Sequence, residues 1–247
     1  MEVIFKTVVG SKLYNLSTKD SDTDFKGVFF SPIENILPTL EQTLGLKQFV
    51  PMNRIETVKG EGENKVETTL YSAKYFIEMF IKGNPTVTEL PYSLGEFATY
   101  NRWGDELMKF IRDNLITKHI FSSYYGYFND QIRGFEHKTG KCREKRQETI
   151  DKFGFDVKMG MHSYRIAMQG IELFSTGTFN PTMSGEKRDI AFGIRQGKYS
   201  REWLIETLNQ LKVELKESIN NSPLPESPDV EKAHEFILDF NKRYYQV

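Results

Sequence analysis

The run Val8-Val9-Gly10-Ser11-Lys12-Leu13-Tyr14-Asn15, followed by Ser21-Asp22-Thr23-Asp24-Phe25, decides how this chain is read. Upstream, residues 3–9 (VIFKTVV) are apolar and β-branched, the composition of a strand. Gly10 has no Cβ, so the backbone there can approach a ligand closely. Ser11 is placed to cap a short helix starting near Lys12, and unpaired N–H groups at such a start attract phosphate. A second strand follows over 24–30 and is ended by Ser31-Pro32. Side chains on a strand alternate between faces, so Asp22 and Asp24 point the same way. Two carboxylates held together repel unless a cation lies between them. Hard divalent ions take such oxygens, commonly with phosphate oxygens in the same shell.

Turn and acidic pair together form the arrangement that transfer of a nucleotide from a nucleoside triphosphate needs. The triphosphate is expected between Gly10, Ser11 and Lys12 on one side and a metal held by Asp22 and Asp24 on the other, with Ser21 beside the pair. A lone Asp-x-Asp is usually an Asx turn leading into a surface strand. Its spacing behind a Gly-Ser turn and an N-terminal strand is what gives it weight.

Residues 10–30 (GSKLYNLSTKDSDTDFKGVFF) resemble the signature of the DNA polymerase β-like nucleotidyltransferase superfamily. The likeness is nearest to the branch of small stand-alone enzymes predicted to act in RNA repair. It continues in order through residues 82–90 (KGNPTVTEL), through Phe155-Asp156-Val157-Lys158 running into His162 and Arg165, and through residues 191–198 (AFGIRQGK). The resemblance implies a two-metal nucleotidyltransferase using magnesium, with manganese as the alternative. An acceptor hydroxyl would attack the α-phosphate of a nucleoside triphosphate, ATP foremost, and pyrophosphate would leave. The implied acceptor is an RNA end; a protein hydroxyl is the competing one, and a nucleotide-binding regulator without turnover is the non-enzyme reading. The chain departs from the family at Asn15, where relatives usually carry Gly, and at Lys12, where many carry Arg. Asn tolerates positive φ, so the turn is expected to survive.

The third carboxylate is expected on a hairpin. Residues 55–58 and 65–69 are β-rich runs flanking Gly60-Glu61-Gly62-Glu63-Asn64. Glu67 precedes an apolar helix over 71–82, as the family's third acidic position does, although that position is commonly Asp. Glu56 on the partner strand is the rival.

A helix over 155–176 carries Lys158, His162, Arg165, Gln169 and Glu172 at spacings of four, three, four and three, which is one narrow stripe. The rest of its circumference is largely apolar, so the helix is expected to be buried. Cations at a pocket wall would neutralise a triphosphate, and the resembling family has a similar pattern. Lys158, His162 and Arg165 are therefore expected to contact nucleotide or phosphate, with His162 as a core histidine the other reading. Asn84 is read as a helix C-cap, and the resemblance also places it with Glu89 near the pocket floor. Residues 137–146 (HKTGKCREKR) are the one basic cluster: a solvated loop, or a track for RNA phosphates with Tyr124, Tyr125, Tyr127 and Phe128 as stacking platforms.

Bulk properties suit a globular enzyme. The 247 residues are 38% hydrophobic and 27% charged, enough for a sizeable core. Lys+Arg of 33 against Asp+Glu of 34 gives a net charge of −1, so no global positive field advertises nucleic acid. The single Cys142 excludes an intrachain disulfide and suits a reducing cytoplasm, of a bacterium or of a phage-infected cell. No basic-then-apolar leader and no membrane-length apolar run are seen. The expected fold is α+β: a small polymerase-β-like head, mixed sheet with helices, over residues 1–95, then a helical domain over 96–247 packing on the head and closing the nucleotide pocket. Further helices are expected over 105–117, 122–135, 200–220 and 230–244, with 33–52 irregular. Oligomeric state is left open.

Overall fold

The structure is a computed structural model that describes residues 1–19, 21–33, 37, 40–45, 47, 48, 50–60, 65–137 and 144–246, without the side chains of 40, 136, 137 and 144–146. The turn of the expected hairpin (61–64), Cys142 and the rest of the basic cluster's side chains lie outside the described residues.

Five strands build one mixed sheet: β1 (Glu2–Val9), β2 (Thr23–Phe30), β3 (Arg54–Lys59), β4 (Val66–Ser72) and β5 (Ala98–Tyr100). Their order is β3-β4-β2-β1-β5. Neighbours are antiparallel except β2 and β4, which run parallel. The expected hairpin is β3–β4, and the expected boundary near residue 95 falls just before β5, which pairs with β1. β2 and β4 share one burial gradient. Their first halves are partly exposed, and their second halves, Gly27–Phe30 and Leu70–Ser72, are buried. One end of the sheet therefore enters the core while the other end, bearing the acidic residues, stays open.

The helices are a single turn α1 (Leu40–Thr43), then α2 (Ala73–Ile81), α3 (Arg102–Asn114), α4 (Ile120–His137), α5 (Glu144–Phe153), α6 (Val157–Thr176), α7 (Gly185–Arg195), α8 (Arg201–Ser218) and α9 (Val230–Tyr245). Side-chain caps fix several starts: Ser72, Asn101, Asp156, Ser200 and Asp229 each accept a first-turn N–H. α2 ends differently from expectation. Gly83, at φ +68, takes the left-handed position, with Gly83 N–H bonded to Phe80 O at 2.9 Å and Asn84 N–H to Met79 O at 2.8 Å. That pair of bonds is a Schellman motif. Asn84 is extended instead, and its Oδ1 accepts from Thr86 N at 2.9 Å to start a 3₁₀ turn over Pro85–Val87.

α6 lies among α4, α7 and α8 and is buried along most of its length, as its wide apolar surface implies. Gly160 and Gly170 bring Leu204 and Leu215 of α8 against it. α9 returns to the sheet, where Phe30 stacks on Tyr244 at 3.6 Å and packs on Phe240 at 4.9 Å. Sheet and helices share one continuous apolar cluster running from Ile4 to Phe240. The α+β class read from the sequence is the class the structure has.

Candidate active site

The Gly-Ser segment forms one turn of helical backbone, shorter than the expected helix. Tyr14 N–H bonds to Gly10 O at 3.1 Å, then Leu16 N–H to Ser11 O at 2.8 Å and Asn15 N–H to Lys12 O at 3.3 Å. Asn15 stands at φ +58, so the turn closes in the same Schellman fashion as α2, with Asn in the glycine position. Gly10 is at φ +71, and a Cβ there would lie 3.3 Å from Asp24 Oδ2. Its missing side chain lets the turn close down on that carboxylate. Lys12 Nζ donates to Thr23 Oγ1. Ser21 Oγ accepts from Thr18 N at 2.9 Å and stands 3.4 Å from Arg195 Nη2.

Strand β2 begins at Thr23, so Asp22 immediately precedes it and Asp24 is its second residue. Asp24 is paired with Val9 on one side and with Glu67, in parallel register, on the other. Paired positions on adjacent strands share a face, so Asp24 and Glu67 are together. Partial burial, then the charges of Asp22 and Glu67, hold the Asp24 carboxyl above its ordinary value; Lys158 and Lys65 pull against them. Glu67 carries an ion pair with Lys65. Glu56 is paired with Arg54 and lies opposite Thr69 on β3, one strand farther from Asp24. Geometry thus sets Glu67, and not Glu56, beside the acidic pair.

Among the described residues no group of three or more His, Cys, Asp or Glu side chains is preassembled to hold a metal ion. The donors at Asp22, Asp24 and Glu67 are nonetheless hard oxygens under mutual repulsion, relieved in part by two ammonium groups. These oxygens are of the type that a magnesium- or manganese-type ion takes, and Glu67 is engaged by Lys65 in this structure.

The α6 stripe divides into three. Lys158 is exposed and acts electrostatically on Asp24. Arg165 is only 5% exposed. Its guanidinium lies 3.8 Å from the centre of the Tyr14 ring and 3.9 Å from Glu89, donates to Gln169, and meets His162 Nδ1 at 3.0 Å. His162 Nε2 in turn meets Tyr127 Oη at 3.0 Å. Glu172, at the outer end, pairs with Lys187 at 3.3 Å. Arg165 and His162 therefore belong to a buried cluster, while Lys158 is exposed and acts on Asp24 through its charge alone.

Three members of that cluster are absent from the sequence-derived contact set or lack a role there. Tyr14 Oη donates to Glu89 Oε2 at 2.7 Å, and burial pushes its phenol well above the ordinary value, with Arg165 opposing. Glu89, expected near the pocket floor by resemblance, is the acceptor at its centre. Lys26 donates to Thr86 O at 2.7 Å, and burial lowers its ammonium while Glu89 opposes. The available signal was Lys26's position, two residues beyond Asp24 and therefore on its face of the strand.

A family model described as "RNA repair pathway DNA polymerase beta family" (RlaP) matches residues 1–238. The chain is also similar to an uncharacterized 38.9 kDa protein in the nrdC-mobD intergenic region of Enterobacteria phage T4, 31% identical over 134 residues. That match covers 53% of this chain and spans 38% of the phage protein's length.

Proposed function

Because the chain belongs to the RNA repair pathway DNA polymerase beta family, we propose that it is a metal-dependent nucleotidyltransferase. It would move a nucleoside monophosphate from a triphosphate, ATP foremost, to a hydroxyl at an RNA end and release pyrophosphate. The observation that carries this reading is the in-register pairing of Asp24 with Glu67, under the Gly10 turn that closes on the same carboxylate.

In this reading Asp22, Asp24 and Glu67 hold magnesium. When bound, the ion would supply positive charge that neutralises the triphosphate and makes the acceptor hydroxyl more acidic. The chain's own groups do the positioning. Ser11 and Lys12 in the turn face the β- and γ-phosphates, and Lys158 at the start of α6 adds a point charge. Glu67 orients the attacking hydroxyl and takes its proton. Positioning and fixed charge are the main contributions to such transfers. No helix among the described residues is long and apolar enough to cross a membrane. The enzyme would act in the cytoplasm of a bacterium or of a phage-infected cell.

The test is incubation with each α-³²P-labelled nucleoside triphosphate and magnesium, with and without RNA, beside an Asp22→Ala/Asp24→Ala protein. Label reaching RNA ends only in the unmodified enzyme is the expected result. Label reaching a protein instead replaces the RNA acceptor with a protein hydroxyl, and no transfer to any acceptor overturns the enzymatic reading.

A further inference from the structure

A cavity of about 100 Å³ lies between β2, residues 85–89, α4 and α6. Tyr14, Lys26, Glu89, Tyr127, His162 and Arg165 line it. Its charges do not balance. Within this lining Glu89 is the one carboxylate against two cations, Lys26 and Arg165, while Asp24, two residues back on β2, acts on Lys26 from outside it. Excess buried charge is costly unless an opposite charge joins it.

The hydrogen-bonding account has the same sign. Arg165 Nε is buried and has no hydrogen-bond partner. Lys26 Nζ has three N–H groups, of which one goes to Thr86 O. The carboxylate of Glu89 is engaged by Tyr14 Oη and faces Arg165. The wall thus holds unused donors around a space large enough for one phosphate group.

The cavity shares its walls with the candidate active site. Lys26 stands two residues beyond Asp24 on the same face of β2. His162 and Arg165 follow Lys158 along one face of α6, and Tyr14 belongs to the turn that begins at Gly10. Turn and cavity approach Asp24 from different directions: Gly10 meets its Oδ2 from β1, whereas Lys26 lies farther along β2.

We propose that this cavity is a phosphate subsite, and that it takes the phosphate nearest the reacting hydroxyl of the acceptor strand. The phosphate subsite stands on the cavity itself; its assignment to the acceptor rests on the nucleotidyl-transfer reading. The subsite would fix the acceptor end by one buried ionic contact, independently of base sequence.

Two binding measurements test it without turnover. In the first, inorganic phosphate is titrated calorimetrically into the unmodified protein and into Lys26→Met, Lys26→Arg and Asp24→Asn. Binding is expected to weaken by about tenfold in Lys26→Met, to recover in Lys26→Arg, and to persist in Asp24→Asn. Thermal melting establishes that each variant is folded. Phosphate affinity indifferent to Lys26→Met, or no phosphate binding by the folded unmodified protein, overturns the subsite. In the second, fluorescent RNA oligonucleotides carry either a normal or a neutral methylphosphonate linkage at the last position, in the Asp22→Asn background. A loss with the neutral linkage that disappears when Lys26→Met is added supports the acceptor as the source. Lys26-dependent binding of triphosphate, with no such loss for RNA, overturns the acceptor assignment and gives the phosphate to the nucleotide. The first measurement stands even if radiolabel transfer to RNA fails, so the two readings fall separately.

Discussion

Asp24 is flanked in the sheet by Val9 and Glu67, and its carboxyl is held above the ordinary value by burial and by two neighbouring carboxylates. An acid with a raised folded-state pKa destabilises the fold wherever it is charged. That cost is fully present above the folded value and disappears as pH falls toward the ordinary carboxylate range. In a chelator, Asp24→Asn is therefore expected to melt above the unmodified protein at neutral pH, with the advantage shrinking on acidification. Magnesium should raise the melting point of the unmodified protein and leave Asp24→Asn nearly unmoved; a gain that persists at acid pH would refute the account. Glu67→Gln is expected to lower transfer by about a hundredfold or more, as loss of a group acting on the reacting atoms does. Glu56→Gln should stay within about threefold, since Glu56 is exposed, paired with Arg54 and one strand farther from Asp24 than Glu67 is. Equal losses in the two variants would remove Glu67 from its role. The acidic pair and Gly10 were legible because their relation is short-range. Glu67 needed the family likeness, because its partnership with Asp24 is made across a parallel ladder. The Tyr14–Glu89 bond joins residues 75 apart, and no local pattern announces it.

Among the elements, α3 shows how closely backbone approaches backbone here. A Cβ on Gly104 would fall far inside contact distance of the Ile4 carbonyl oxygen on β1. No soft side chain can yield at that point, so the helix itself must move. Gly104→Ala is expected to cost about 1–3 kcal/mol of stability in denaturant unfolding, despite alanine's better helix propensity. A neutral result would mean that α3 slides freely on the sheet. The strongly periodic helices were read from sequence to within a few residues, α6 and α9 among them. β5 and α7 were not. β5 has three residues, and its pairing with β1 supplies what its own sequence does not. α7 carries two glycines and a charged first turn, GEKRD, which hides its apolar face. The segment was noticed through its likeness to the family, not through its periodicity.

At the scale of the whole molecule, the helical part braces the Gly-Ser turn. Arg195 Nη1 donates to Leu16 O at 2.8 Å, Thr182 Oγ1 to Leu13 O at 2.9 Å, and Met183 N–H to Tyr14 O at 3.3 Å. Arg195→Met should leave the core intact, with a melting shift of about 2–4 °C. Amide exchange across residues 10–16 should accelerate while that of α6 stays protected, and triphosphate binding should weaken. Unchanged exchange in the turn would show that α7 merely covers it. The parallel register of β2 and β4 has one more consequence, for how such chains can vary in length. β2 ends at Phe30 and β3 begins at Arg54, so insertions or deletions between them leave Asp24 and Glu67 abreast. A single residue gained or lost inside β4 between Glu67 and the buried Leu70–Ser72 would turn the carboxylate to the opposite face. Length drift among relatives should therefore be free in the connection and forbidden in the strand.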